Sequence, residues 1–80
     1  MPIIYGVALK DGEPTEGVRV KLVDDGGTEV MNVETAEDGL FEFEVKPGLW
    51  TLQWTTPEGR EDEGEIEVPE GEDAEIELEV

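Results

Sequence analysis

The segment that most limits what this chain can become runs from Thr35 to Trp54. An Asp38-Gly39 pair leads into Phe41, Phe43 and Val45 alternating with Glu42 and Glu44; a Pro47-Gly48 pair then leads into Trp50, Leu52 and Trp54 alternating with Thr51, Gln53 and Thr55. Side chains along a strand point to opposite faces in turn, so this period of two predicts two half-buried strands joined by a tight turn. A helix would need apolar residues three and four apart, and no part of the chain shows that stripe.

The same reading carried along the chain predicts seven strands separated by clusters of Gly, Pro and Asp. The first, Ile3 to Leu9, is read with Ile3, Tyr5, Val7 and Leu9 as its core face, before a turn at Asp11-Gly12-Glu13-Pro14. The second, Val18 to Val23, points Val18, Val20 and Leu22 inward and Arg19 and Lys21 outward. After Asp24-Asp25-Gly26-Gly27, a third strand from Thr28 to Thr35 has either Val30 or Met31 and Val33 inward, an ambiguity that suits an edge. The fourth and fifth are the pair described above. The last two carry Ile66 and Val68, then Ala74, Ile76, Leu78 and Val80, against glutamates on the other face; if they pair as a hairpin, Glu65 and Glu67 lie near Glu75, Glu77 and Glu79. Like charges side by side on a sheet destabilise it. Short strands of this number bury their apolar faces by stacking as two sheets, so the expected fold is all-β, a seven-stranded antiparallel two-sheet sandwich formed by one domain over residues 1–80.

Composition narrows function mainly by exclusion. With 23 acidic residues against 5 basic ones the formal net charge is -18, which opposes nucleic acid and anionic membranes alike, since both are held through Lys and Arg. No run approaches the roughly 20 apolar residues of a membrane span, and Met1-Pro2-Ile3-Ile4-Tyr5-Gly6 lacks the basic start of a secretory signal, so a soluble chain is expected. Cys, His and Ser do not occur. Disulfides and thiolate metal sites are therefore excluded, as are a histidine base and a serine triad.

The turns and strand entries resemble the carboxypeptidase regulatory-domain-like family, whose sandwich is transthyretin-like with a Greek key. The matching elements are Gly6-Val7, Asp11-Gly12-Glu13-Pro14 with Gly17-Val18-Arg19-Val20, Thr35 with Asp38-Gly39-Leu40-Phe41-Glu42-Phe43, and Pro47-Gly48-Leu49-Trp50-Thr51-Leu52. The resemblance implies an accessory module without catalytic residues of its own. Trp50 departs from the family's usual Tyr, and Trp54 from a smaller apolar residue. A related sandwich class closes a Lys-Asn isopeptide bond with a buried acid. Here the only Asn is Asn32 and the acid's position in the fifth strand reads Gln53-Trp54, so no crosslink is expected. The histidine-dependent ureide hydrolase of the same fold does not carry over either, nor does binding of a hormone in a tetramer channel.

Four features compete as sites. The acid clusters at Asp24-Asp25 and Glu58-Gly59-Arg60-Glu61-Asp62-Glu63 lack the alternating oxygen spacing of a calcium loop and are read as solvated turns. Paired carboxylates for glycoside hydrolysis need a cleft and one raised pKa, whereas glutamates alternating outward face water. Trp50 and Trp54 share one strand face and are read as core, with sugar stacking by an exposed Trp54 as the alternative. Thr51, Gln53 and Thr55 form a polar outer stripe. The expectation is thus a monomeric, non-catalytic module with no cofactor and no metal; a protein or carbohydrate partner, if it has one, would meet Trp54, Thr51, Gln53 and Thr55. Such acidity suits a salt-loving organism, which screens the repulsion, or a designed scaffold, and the missing Ser, His and Cys with near-uniform outward Glu incline the reading to design.

Overall fold

The computed structural model describes residues 2–80, and none of them is helical. Eight strands are formed: β1 (Ile3–Lys10), β2 (Glu13–Pro14), β3 (Arg19–Val23), β4 (Glu29–Glu34), β5 (Leu40–Glu44), β6 (Gly48–Thr55), β7 (Glu61–Val68) and β8 (Ala74–Glu79). The strand beyond the expected seven is β2, in which Glu13 and Pro14 double back on Lys10 and Leu9 across the Asp11-Gly12 turn. A two-residue strand is too short to leave any periodicity in the sequence.

β1 is the centre of the first sheet. Along one edge β8 runs parallel to it, from Ile4 opposite Ala74 to Leu9 opposite Glu79. Along the other edge β5 pairs antiparallel with Ile3 to Val7, and β2 with Leu9 and Lys10. The second sheet has the order β4-β3-β6-β7, antiparallel throughout. The two sheets stack, with β4 approaching β5 and β7 approaching β8. Between them lie Ile4, Ala8, Phe41, Phe43, Val45 and Leu78 from the first sheet side and Val18, Val20, Leu22, Leu52, Trp54 and Val68 from the second. Phe41 and Phe43 meet edge to face at 6.1 Å between ring centroids, a favoured aromatic geometry.

The sandwich departs from the sequence expectation in two places that matter. First, the last two strands do not both lie in antiparallel pairs, nor do they pair with each other. The chain crosses from one sheet to the other through residues 69–73, so β7 pairs with β6 while β8 pairs in parallel with β1. Both strands have an inward apolar set, and placing them on opposite sheets lets both sets cover the same core. It also separates Glu65 and Glu67 from Glu75, Glu77 and Glu79 onto different faces of the molecule, which removes the repulsion a hairpin would impose. The parallel β1-β8 pair means the fold is not antiparallel throughout.

Second, β1 faces the other way. Ile4, Gly6 and Ala8 are buried, whereas Ile3, Tyr5, Val7 and Leu9 point outward. Apolar residues occupy both faces of this strand, so alternation alone does not decide between them. What decides is the space left by neighbours: the Phe41 ring tip lies 3.0 Å from where a Gly6 β-carbon would be, and that β-carbon would run into the Ile76 carbonyl of β8. Glycine is therefore required at position 6, while Ile4 on the same face fills the core.

The remaining elements follow the sequence closely. β4 is an edge strand with Val30 and Met31 exposed and Val33 half-buried against the core. The corner before β5 is tied by Thr35, which is 3% exposed. Its Oγ1 donates to the Thr15 carbonyl at 2.7 Å and accepts from the Val18 N–H at 3.0 Å. Its own N–H donates to the Val18 carbonyl and its carbonyl accepts from the Gly17 N–H, so this buried polar residue has its hydroxyl and both backbone groups paired. Gly39 follows at φ 75°; a β-carbon there would stand 2.9 Å from the Ala8 carbonyl oxygen, so the Asp-Gly signal marks both a left-handed residue and a close approach.

Candidate functional site

The polar stripe expected on the fifth strand of the sequence reading forms on β6. Thr51, Gln53 and Thr55 lie on the outer face of the second sheet, opposite Glu65, Glu63 and Glu61 of β7 on one side and Val23, Lys21 and Arg19 of β3 on the other. Gln53 Nε2 donates to Glu63 Oε2 at 3.5 Å. Lys21 Nζ stands 3.9 Å from Glu29 Oε1, and Arg19 Nη2 lies 3.2 Å from Glu34 Oε1. A shallow depression of about 360 Å³ opens here, lined by Lys21, Gln53, Trp54 and Thr55 and by the β7 acids Glu61, Asp62 and Glu63. It holds side chains of both signs and amides, on a sheet face open to water.

Trp54 borders that depression but lies mostly beneath the face. Its side chain enters the core at 8% exposure, with its ring over Gly64 of β7, where a β-carbon would be 3.5 Å from the ring. The glycine supplies the space for the indole. A ring so largely buried offers little of its face for stacking on a sugar. Trp50 is half-buried against the core, and its Nε1–H donates to the Lys46 carbonyl at 2.9 Å, which anchors the turn before β6. Of the four residues proposed for a partner, Thr51, Gln53 and Thr55 share one surface and Trp54 lies beneath it.

In each acid cluster at least one carboxylate has a protein partner. Asp24 Oδ1 accepts from the Gly26 N–H at 3.0 Å and the Thr28 N–H at 2.9 Å, closing the turn between β3 and β4. Asp side chains lock turns this way when they replace a backbone acceptor. Glu58, in the β6-β7 turn, accepts from Lys10 Nζ. That hydrogen bond, with the Lys10 charge behind it and a smaller effect from Arg60, lowers the Glu58 pKa. A carboxylate held ionised in this way is the reverse of a general acid, which needs its proton retained. Asn32 is exposed on β4 opposite Lys21, on the outer face of the sheet.

The sequence reading missed the apolar column that β1 presents on the first sheet. Tyr5 is 38% exposed and Leu40, beside Val7 on β5, is 53% exposed; Ile3, Val7 and Leu9 are half-buried. The signal was present in the run Ile3-Ile4-Tyr5, apolar on both strand faces, where one set must stay outside unless a further layer covers it.

These features define a small all-β sandwich domain whose outer faces carry charge and one apolar column. The chain belongs to the family described as "Protein of unknown function (DUF1416)", whose model matches residues 1–80. No curated protein matches it. Among solved structures it is similar to part of the Bacillus anthracis TIE protein, at 20% identity and a TM-score of 0.81, covering 98% of this chain and 16% of that one. It is also similar to part of BcpA, the major pilin subunit of Bacillus cereus, at 16% identity and a TM-score of 0.75, covering 98% of this chain and 29% of that one. These likenesses establish the sandwich fold, and the chain spans only a minor part of the length of either protein.

Proposed function

We propose that the chain is a non-catalytic β-sandwich module with a structural or partner-holding role, working as a monomer without cofactor or metal. The observation that supports this most is the placement of its acids: Glu42 and Glu44 on β5, Glu61, Glu63 and Glu65 on β7, and Glu75, Glu77 and Glu79 on β8 all alternate outward into water. A pair of catalytic carboxylates must instead converge on a concave site with unequal pKa values. The same outward acid rows oppose nucleic acid and anionic lipid. Among the described residues no helix is long and apolar enough to cross a membrane. The family type we propose is carboxypeptidase-regulatory and transthyretin-like. The elements behind that resemblance now lie at the Thr35 corner, the Gly39 approach and the β5-β6 turn, which are all structural positions.

A designed scaffold and a natural acidic module would share this sandwich. Family membership over residues 1–80 favours the natural module. Its test is thermal unfolding with millimolar calcium, with EDTA and with neither, beside sedimentation. The proposal expects one cooperative transition at the same temperature in all three and a monomer in sedimentation. A rise of several degrees with calcium would reveal a bound ion, because a ligand specific to the native state stabilises it by mass action, and would overturn the metal-free reading.

A further inference from the structure

We infer that the outer face of the first sheet is a docking surface for a cationic amphipathic helix of a partner protein. The face has three columns. Its middle is β1, with Ile3, Tyr5, Val7 and Leu9 outward. Pairing places Glu44, Glu42 and Leu40 of β5 on one side of Ile3, Tyr5 and Val7, and Glu75, Glu77 and Glu79 of β8 on the other side of Tyr5, Val7 and Leu9. An apolar strip thus lies between two staggered sets of carboxylates, Glu44 and Glu42 beside its Ile3 end and Glu75, Glu77 and Glu79 beside its Tyr5 to Leu9 end, with both sides charged at Tyr5. None of the three ion pairs among the described residues involves either row, since Lys10, Arg19 and Lys21 pair with Glu58, Glu34 and Glu29. The first sheet's acids are left for an external cation.

Dimensions and charge select the occupant. Strands lie about 4.8 Å apart, so the acid rows are separated by about 10 Å, which matches the width of an α-helix. From Ile3 to Leu9 the apolar column runs about 20 Å, the length of about 13 helical residues. A helix with apolar side chains at i, i+3, i+4 and i+7 would seat them on Tyr5 and Val7, and lysines or arginines flanking that stripe would reach the two glutamate rows. At the β5 edge of this face a depression of about 660 Å³, bordered by Ile3, Tyr5, Leu40 and Glu42 and by Val33 and Glu34 of β4, offers room for one larger apolar anchor. A second copy of this chain is the wrong occupant, because it would bring the same glutamate rows against these. The second sheet provides an internal comparison: its β7 acids are as dense, but the neighbouring column is Thr51, Gln53 and Thr55.

The test uses the whole chain labelled with nitrogen-15 and a synthetic helical peptide of about 14 residues with a leucine stripe flanked by lysines. Saturable binding with amide shift changes centred on β1, β5 and β8, lost when glutamates replace the lysines and weakened at least tenfold by Val7→Lys, is the expected result. Val7 points outward, so the variant should keep its fold, which its own spectrum checks; Glu75→Lys with Glu77→Lys should weaken the same peptide while leaving the apolar column intact. Changes spread equally over β7, binding unaltered by both variants, or no saturable binding would overturn the proposal. So would a dimer formed through this face without peptide, which would assign the column to a second copy.

Discussion

At the scale of single residues, the structure assigns large effects to positions whose importance is geometric rather than chemical. Thr35 is one: replacing its hydroxyl by a methyl in Thr35→Val leaves the Val18 N–H and the Thr15 carbonyl without that partner, which should cost about 1–3 kcal/mol in urea unfolding. Gly6 is another, because even the single carbon of Gly6→Ala meets the Ile76 backbone; overpacking of that kind costs about 1–3 kcal/mol. Glu58 gives a pH effect of known sign. Its pKa is lowered in the folded state by Lys10, so the pair's contribution is present above the ordinary glutamate pKa and is lost as pH falls through the lowered value. The pair is exposed, and the effect on stability is correspondingly small. A carbon-13 carboxyl titration should place Glu58 below the ordinary glutamate value, and Lys10→Met should raise it toward that value.

The element that best separates what the sequence could and could not reveal is β1. Along β5 and β6 one face is apolar and the other polar, so Phe41, Phe43, Leu52 and Trp54 were legible as core from spacing alone. In β1 both faces are apolar, and the inward set was settled by Phe41 and the β8 backbone, which come from strands far along the chain. The same non-local cause hid the β7-β8 crossover: residues 69–73 read equally well as a hairpin turn or as a passage between sheets. The outer stripe of Thr51, Gln53 and Thr55 was legible because its strand was; the apolar column beside the β5 and β8 glutamates required the register. The assigned facing predicts an inversion of the usual expectation for large residues. Ile4→Ala should cost about 2–5 kcal/mol, whereas Tyr5→Ser, on the outer face, should cost less than about 1 kcal/mol. Equal costs in denaturant unfolding would mean that the strand faces the other way.

For the whole molecule, the formal net charge of -18 is tolerated by distribution. One set of acids lies on the outer face of β7, another on β5 and β8, with the apolar core between them. Repulsion remains within each row, so raising salt from about 20 mM to about 2 M, which shortens the screening length to a few ångströms, should raise the melting temperature. Because the densest rows are on different sheets, the low-salt melt should still be a single cooperative transition. The arrangement that separates them also leaves Tyr5 outside between Glu42 and Glu75 and Val7 outside beside Glu77, so charge distribution and the proposed docking face share one origin in the parallel β1-β8 pair. The most direct test is therefore a proton NMR map of cross-strand contacts. The account predicts parallel-pattern contacts of Gly6 with Ile76 and of Val7 with Glu77, together with antiparallel contacts of Thr51 with Glu65; antiparallel contacts between the Glu65–Glu67 segment and the Glu75–Glu79 segment would contradict it.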